Sequence, residues 1–151
     1  MNKQDAKKEL QALKNREKEL TEIIESPEAP ETIMEKVKTY EDACKVLNLP
    51  TTLPDVSIYA KDDRSHAIAD FKLIRIIRAL NEGWKPNWRD ANEYKWYPFF
   101  DLSSGFGFSA TDCGWTHAYS AGGSRLCLKN EELAKYAGKQ FEAIYKDFIV
   151  I

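Results

Sequence analysis

The residues best suited to chemistry lie in one short stretch, where Cys113 precedes His117 by four positions and Asp112 is adjacent. A thiol beside an imidazole can form a nucleophile with its base, and both groups are metal ligands. A structural zinc site needs four ligands, however, and His66 is the only other histidine. A catalytic pair also needs an orienting group and an oxyanion site. We therefore predict a loop beside a strand, with no catalytic residue, metal or cofactor. A small enzyme using this pair is the third alternative.

The second candidate site is an aromatic segment, residues 84–97, in which rings alternate with cations. Nucleobases stack on such rings while Lys and Arg contact phosphates, so the pattern suits single-stranded nucleic acid. Over residues 71–100, six cations stand against three acids. The alternatives are a core filled by these aromatic side chains and a surface that binds a protein or ligand. The predicted binding residues are two rings and three cations: Trp84, Lys85, Trp88, Arg89 and Lys95.

The N-terminal residues predict an amphipathic helix over positions 5–25 with a narrow apolar stripe. The stripe repeats at three- and four-residue steps if Glu17 fills one place, which is typical of a coiled-coil seam. A solvated helix lying against its own domain and a frayed tail are the alternatives. The predicted association residues are the large apolar members of this stripe: Leu10, Leu13, Leu20 and Ile24.

Three segments are predicted along the chain. Residues 1–26 form the charged helix, and residues 27–37 form a linker because Pro27 and Pro30 interrupt helical hydrogen bonding. Residues 38–151 form a compact domain.

Within this domain, apolar periodicity predicts helices capped by Thr39 and Asn130, and a longer helix over residues 63–81. Glycines, serines and alternating aromatics predict strands between them. The strand candidates are Tyr94–Leu102, Gly105–Ala110 and Ser124–Leu128. We predict an α+β fold, with a small antiparallel sheet of about three strands packed against two amphipathic helices and an extra N-terminal helix.

The composition limits the compartment and the partners. The 151 residues carry 22 basic and 24 acidic side chains, a net charge of −2, so the chain has no overall basic excess for holding nucleic acid or a membrane surface. Three cysteines without a CxxC pair favour a reducing compartment. The charged N-terminus lacks the apolar region of a secretory signal, and no apolar run is long enough to span a bilayer. We predict a soluble protein without a membrane partner.

Four segments together resemble a family of small proteins encoded by phages and mobile elements of gut Bacteroides-type bacteria. They are TYEDACKVL, ALNEGWKPNW, YKWYPFFDLSSGFGFS and GSRLCLKNEELAKYAGKQFEAIYKDF. The resemblance covers about residues 34–151 and leaves the N-terminal helix as an extension. It implies a phage or prophage protein located in the bacterial host cytoplasm or the virion, and it assigns no activity and no functional residues.

These observations predict a non-enzymatic binding or assembly protein of a phage or mobile element. It would act through protein–protein contacts of the N-terminal helix and the aromatic segment, with a protein partner or self-association. The alternative is a single-stranded nucleic-acid-binding protein that uses the aromatic segment.

Overall fold

The computed structural model describes residues 3–25, 31–103, 105, 107–116 and 125–150. The chain divides into two compact units, Met1–Pro30 and Glu31–Ile151. The helices and strands of the described residues are α1 (Lys3–Glu25), α2 (Ile33–Lys36), α3 (Tyr40–Val46), a 3₁₀ turn (Lys61–Asp63), α4 (Arg64–Leu80), β1 (Lys95–Asp101), β2 (Gly107–Thr116), α5 (Glu131–Gln140) and α6 (Glu142–Ile149).

The first unit contains α1, which confirms the predicted N-terminal helix. Its polar side chains bond to one another at helical spacings. Arg16 pairs with Glu19 at 3.2 Å, and Gln11 donates to Asn15 at 3.1 Å. Such surface pairs add only about 0.2–0.5 kcal/mol each to an isolated helix. Helix α1 therefore gains little stability from its own polar contacts.

The second unit begins at Glu31, within the predicted linker of residues 27–37. The latter part of that segment forms α2 and places Val37, which is fully buried, in the core. The Tyr136 hydroxyl donates to the Met34 carbonyl at 2.7 Å and also contacts the Val37 carbonyl at 2.8 Å. Residues 31–37 thus belong to the domain, because both their side chains and their carbonyls are used by it.

Helices α3 and α4 form where the sequence predicts them. Thr39 caps α3 through a reciprocal capping box with Asp42, and α4 packs against both α3 and α6. The buried face of α4 includes Leu73, Ile76 and Ile77, each no more than 1% exposed. Burying a side chain of this size contributes roughly 1.5–3 kcal/mol. This helix is therefore central to the core, as its apolar periodicity predicts.

The predicted α+β fold with a sheet of about three strands is wrong, because the chain is mostly helical and no antiparallel three-stranded sheet is seen among the described residues. The described strands β1 and β2 form one antiparallel pair with a register shift between Pro98 and Phe100. Strand β2 runs to Thr116, beyond the predicted end at Ala110. Helix α5 packs against both strands.

The third predicted strand contributes, among the described residues, one isolated bridge between Trp96 and Leu128. The side chain of Asn81 takes the neighbouring backbone groups. Its Nδ2 donates to the Cys127 carbonyl at 2.9 Å, and the Lys129 N–H donates to its Oδ1 at 3.0 Å. Because Trp96 and Leu128 exchange both of their backbone hydrogen bonds, these groups of Cys127 and Lys129 point away from β1, and Asn81 satisfies them at the outer edge. The next bonded position on β1 is Pro98, which has no N–H to extend the ladder.

The final predicted helix is interrupted at Phe141, which separates α5 from α6. Phe141 has φ −111° and ψ 25°, outside the helical region, and is buried. Its side chain lies edge-on to Tyr136, with ring centroids 6.2 Å apart. Asn130 does cap α5, by accepting from the Leu133 N–H at 2.8 Å, which confirms the predicted start.

Candidate functional site

The loop between α4 and β1, residues 82–94, carries most of the predicted binding residues. It begins with a reversal at Glu82 and Gly83, whose φ angles are 48° and 85°. The Trp84 N–H then donates to the Asn81 carbonyl at 2.8 Å. Positive φ favours glycine, which explains Gly83 immediately before the first tryptophan. The reversal directs this loop back along the end of α4.

Lys95 organises the loop from within. Its side chain is fully buried, and its ammonium donates to the carbonyls of Asn87 at 2.8 Å, Asp90 at 3.2 Å and Glu93 at 2.9 Å. It also lies 2.9 Å from the Glu93 carboxylate. A buried ammonium is tolerated only when it is paired and hydrogen-bonded in this way. The sequence predicts Lys95 to be an exposed cation that binds a ligand. The structure instead places it inside the protein, where its donors are used by the loop.

Glu93 joins three parts of the same loop. One carboxylate oxygen accepts from the Trp84 indole N–H at 3.3 Å, and the other accepts from the Asn87 N–H at 2.7 Å. Burial alone would raise the pKa of Glu93, but hydrogen bonds from Lys95, Asn87 and Trp84, together with the Lys95 charge, lower it below its ordinary value. The ionised carboxylate is therefore the form that this loop stabilises.

A cleft of about 580 Å³ lies between this loop, α4 and the segment before α5. Helix α4 supplies Ile74, Ile77 and Arg78, whose three- and four-residue spacing places them on one helix face. The remaining described lining residues come from the end of α4, the loop and the segment before α5: Asn81, Gly83, Trp84, Lys85, Pro86, Trp88, Arg125 and Cys127.

The lining of the cleft combines apolar side chains with positive charge. Arg78, Lys85 and Arg125 contribute three cations, and none of its described lining residues is acidic. All three cations are exposed, and none of them forms an ion pair with another described residue. Trp84 and Trp88 are half-buried. The arrangement suits a ligand that carries both negative charge and a flat or apolar group.

The structure brings together three of the five predicted binding residues, Trp84, Lys85 and Trp88. Arg89 is exposed on the same loop but is not among the lining residues. Sequence reasoning missed Arg78 and Arg125. Arg78 carries a usable signal, because it interrupts an apolar helical run, whereas nothing in the local sequence connects Arg125 to the tryptophans.

The predicted Cys113 and His117 pair lies outside what the structure describes. Strand β2 includes the backbone of Asp112 and Cys113, but their side chains and His117 are outside the described residues. The second histidine, His66, stacks on Phe148 with ring centroids 4.9 Å apart, and its Nδ1 lies 2.7 Å from the Phe148 carbonyl. Within the described part of the chain, no three His, Cys, Asp or Glu residues cluster as a metal site.

The predicted association residues lie on α1. Leu10, Leu13 and Leu20 are 55%, 63% and 44% exposed, and the Ile24 side chain is outside the described residues. Most helical stability in proteins comes from packing of an apolar face rather than from intrinsic propensity. The leucines give α1 an apolar stripe that such packing would bury.

Across the described helices, none combines the length and the apolar character needed to cross a bilayer.

In a comparison with known proteins, no protein-family model, curated protein or solved structure matches this chain.

Proposed function

We propose that this protein acts by binding, and that its cleft takes an anionic ligand carrying a flat or apolar group. The observation that carries this proposal is the composition of the cleft: three cations without an ion pair among the described residues line it together with two half-buried tryptophans and two isoleucines, and none of the described lining residues is acidic. Ligand sites are commonly apolar clefts of about 300–1,000 Å³ with a few placed polar groups. A cleft of about 580 Å³ lies within that range.

The chemistry of the lining favours binding over catalysis. Its described residues include no carboxylate and no imidazole to move a proton. The one thiol, that of Cys127, is 2% exposed. Burial raises its pKa, although a hydrogen bond with Tyr97 acts in the opposite direction. A protonated, buried thiol is a poor nucleophile.

The second part of the proposal concerns α1, which we assign to association between copies of the chain or with a protein partner. The supporting observation is the exposure of Leu10, Leu13 and Leu20 along one stripe. The resemblance to phage and mobile-element proteins supplies the biological setting, a binding or assembly step in the bacterial host cytoplasm or the virion.

The cleft can be tested with anilinonaphthalene sulfonate, a fluorescent dye that joins one negative charge to fused rings. We expect saturable binding to the folded protein and a loss of about tenfold in affinity, or ~1.4 kcal/mol, in Arg78→Glu. Trp88→Ala should also weaken binding. Lys139→Glu reverses a charge at an exposed position on α5, outside the cleft, and should leave the affinity for the dye unchanged.

A second dye separates charge from apolar contact. Phenylnaphthylamine has the same rings without the sulfonate, so it should bind more weakly and be insensitive to Arg78→Glu. Equal affinities for the two dyes, or a dye affinity unchanged in both cleft variants, would contradict the proposal. Circular dichroism of each variant checks that the fold is retained.

A further inference from the structure

We propose that the ligand of the cleft is single-stranded nucleic acid, with bases stacked on Trp84 and Trp88 and phosphates held by the cations of the cleft. This inference rests on the proposed function and names its ligand. A ligand that combines rings with several negative charges fits best, because two tryptophan rings and three cations line the same cleft. A single strand offers one ring and one phosphate at every unit.

The tryptophans are held in place before any ligand arrives. The Trp84 indole N–H is tied to Glu93 at 3.3 Å, and the Lys95 ammonium lies 5.6 Å from the centre of the Trp88 ring. Both partners belong to the ion pair between the buried Lys95 and the partly exposed Glu93. Rings that are already positioned lose little freedom on binding, so stacking retains more of its free energy.

The cations come from three separate parts of the chain. Arg78 lies on α4, Lys85 follows Trp84 in the loop, and Arg125 lies before α5. A ligand with one charge would use only part of this set, whereas a strand presents successive phosphates to all three. The net charge of the protein is −2, so non-specific attraction does not supply the binding. Affinity must come from this local arrangement.

A duplex and an acidic peptide fit less well. The bases of a duplex are stacked on one another, which leaves no ring face for Trp84 or Trp88. An acidic peptide carries charge on short side chains, and only some of its positions carry rings. The alternation of ring and charge is a regular property of a nucleic acid strand.

The salt dependence gives a quantitative expectation. Each phosphate neutralised on a single strand contributes about −0.7 to the slope of log K against log salt, so three cations predict a slope of about −2. Arg78→Gln, Lys85→Gln and Arg125→Gln should each make the slope shallower by about 0.7. Trp88→Leu should instead weaken binding about fivefold or more at fixed salt, with the slope unchanged.

The experiment measures the anisotropy of a labelled oligothymidylate of about ten nucleotides, within the usual range of single-strand sites, against the full-length chain. Two variants serve as matched controls. Lys139→Gln removes an exposed cation, and Phe99→Leu removes an exposed ring on β1, both outside the cleft. Neither should change the affinity or the slope. Effects from the controls equal to those of the cleft variants would overturn the inference.

Three competitors identify what is recognised. Inorganic polyphosphate presents phosphates without bases, a copolymer of glutamate and tyrosine presents acids and rings on a peptide, and thymidine monophosphate presents a single nucleotide. The inference requires the oligothymidylate to bind more tightly than all three. If polyphosphate binds as tightly or more tightly, the cleft recognises charge alone. The same result with the copolymer would indicate an acidic protein segment, and with the mononucleotide a free nucleotide. Each of these results overturns the inference.

The dye experiment separates this inference from the proposed function. Displacement of anilinonaphthalene sulfonate by the oligothymidylate supports both. If the dye binds in the cleft and no oligothymidylate binds at low salt, the nucleic-acid inference fails while the proposed function stands. If neither binds, both fail.

Discussion

The ammonium of Lys95 and the carboxylate of Glu93 form an ion pair of 2.9 Å in which one partner is fully buried and the other is 25% exposed. The loop bearing Trp84 and Trp88 is built around this pair rather than around an apolar cluster. The shape of the cleft therefore depends on a charge that no ligand can reach.

Lys95→Met should destabilise the protein by about 3 kcal/mol, because removing one partner of a buried pair leaves the other uncompensated. Three loop carbonyls also lose their donor. Urea unfolding followed by tryptophan fluorescence measures the change. Lys139→Met is the matched control and should stay within about 0.5 kcal/mol of the wild type. An equally small effect of Lys95→Met would show that the ammonium is not needed.

Acidification should loosen the same loop. Because the pKa of Glu93 is lowered in the folded protein, its contribution to stability is fully present above the ordinary value of 4.5 and is lost as the pH falls through the lowered value. The side-chain hydrogen bond from Thr39 lowers the pKa of Asp42 in the same direction. The prediction for Glu93 therefore concerns the difference in stability between the wild type and a variant that lacks only this carboxylate.

Glu93→Gln should be less stable than the wild type at neutral pH, and the gap should narrow in acid, where the wild-type carboxyl is protonated. Melting temperatures recorded from neutral pH to below 4.5 test this. Glu132→Gln, at an exposed position on α5, is the control and should follow the wild type. A gap that stays constant with pH would mean that ionisation of Glu93 does not support the loop.

Asn81→Ala should cost about 2 kcal/mol, because it leaves the Cys127 carbonyl and the Lys129 N–H without their side-chain partner. Asn81 is 6% exposed, so water does not readily replace it. Thermal unfolding measures the loss. Asn92→Ala, exposed in the loop, should be nearly neutral. Equal stabilities of the two variants would show that Asn81 does not hold this segment.

Local signals account for what the sequence predicts correctly. Thr39 with Asp42 and Asn130 mark helix starts through bonds made within a few residues, and the apolar periodicity of α4 is continuous. The third strand is limited, among the described residues, to one bridge with Trp96, and the next bonded position on β1 is Pro98, which has no N–H to donate. Its outer edge is bonded by Asn81, which is 46 residues away from Cys127, and a strand-like pattern cannot report such a distant side chain.

The binding residues show the same limit. Rings and cations in one segment single out Trp84, Lys85 and Trp88, which line one cleft, and their role in binding stays a prediction. Lys95, like Lys85, is a lysine next to a tryptophan in the sequence. It is nevertheless buried, because the loop folds back and surrounds it with carbonyls. Arg125 reaches the cleft from another part of the chain. Only tertiary structure separates these roles.

The N-terminal helix should mediate association. Leu13→Glu places a charge in the middle of the apolar stripe, so it should reduce the mass of the full-length protein measured by light scattering from an oligomer to a monomer. Ala12→Glu adds the same charge at the neighbouring, exposed position and should leave the mass unchanged. A wild-type protein that is already monomeric at high concentration would contradict self-association.

The hydrogen bond from Tyr136 to the Met34 carbonyl joins residues 102 positions apart, and Gln140 likewise donates to the Lys38 carbonyl. Contacts this distant in sequence slow folding, since a long loop must close before they form. During synthesis, α2 and α3 can pack against α4 as soon as it has emerged, but the carbonyls of Met34, Val37 and Lys38 lack these donors until α5 follows. This side of α2 and α3 therefore stays open to proteases and chaperones until α5 packs over it.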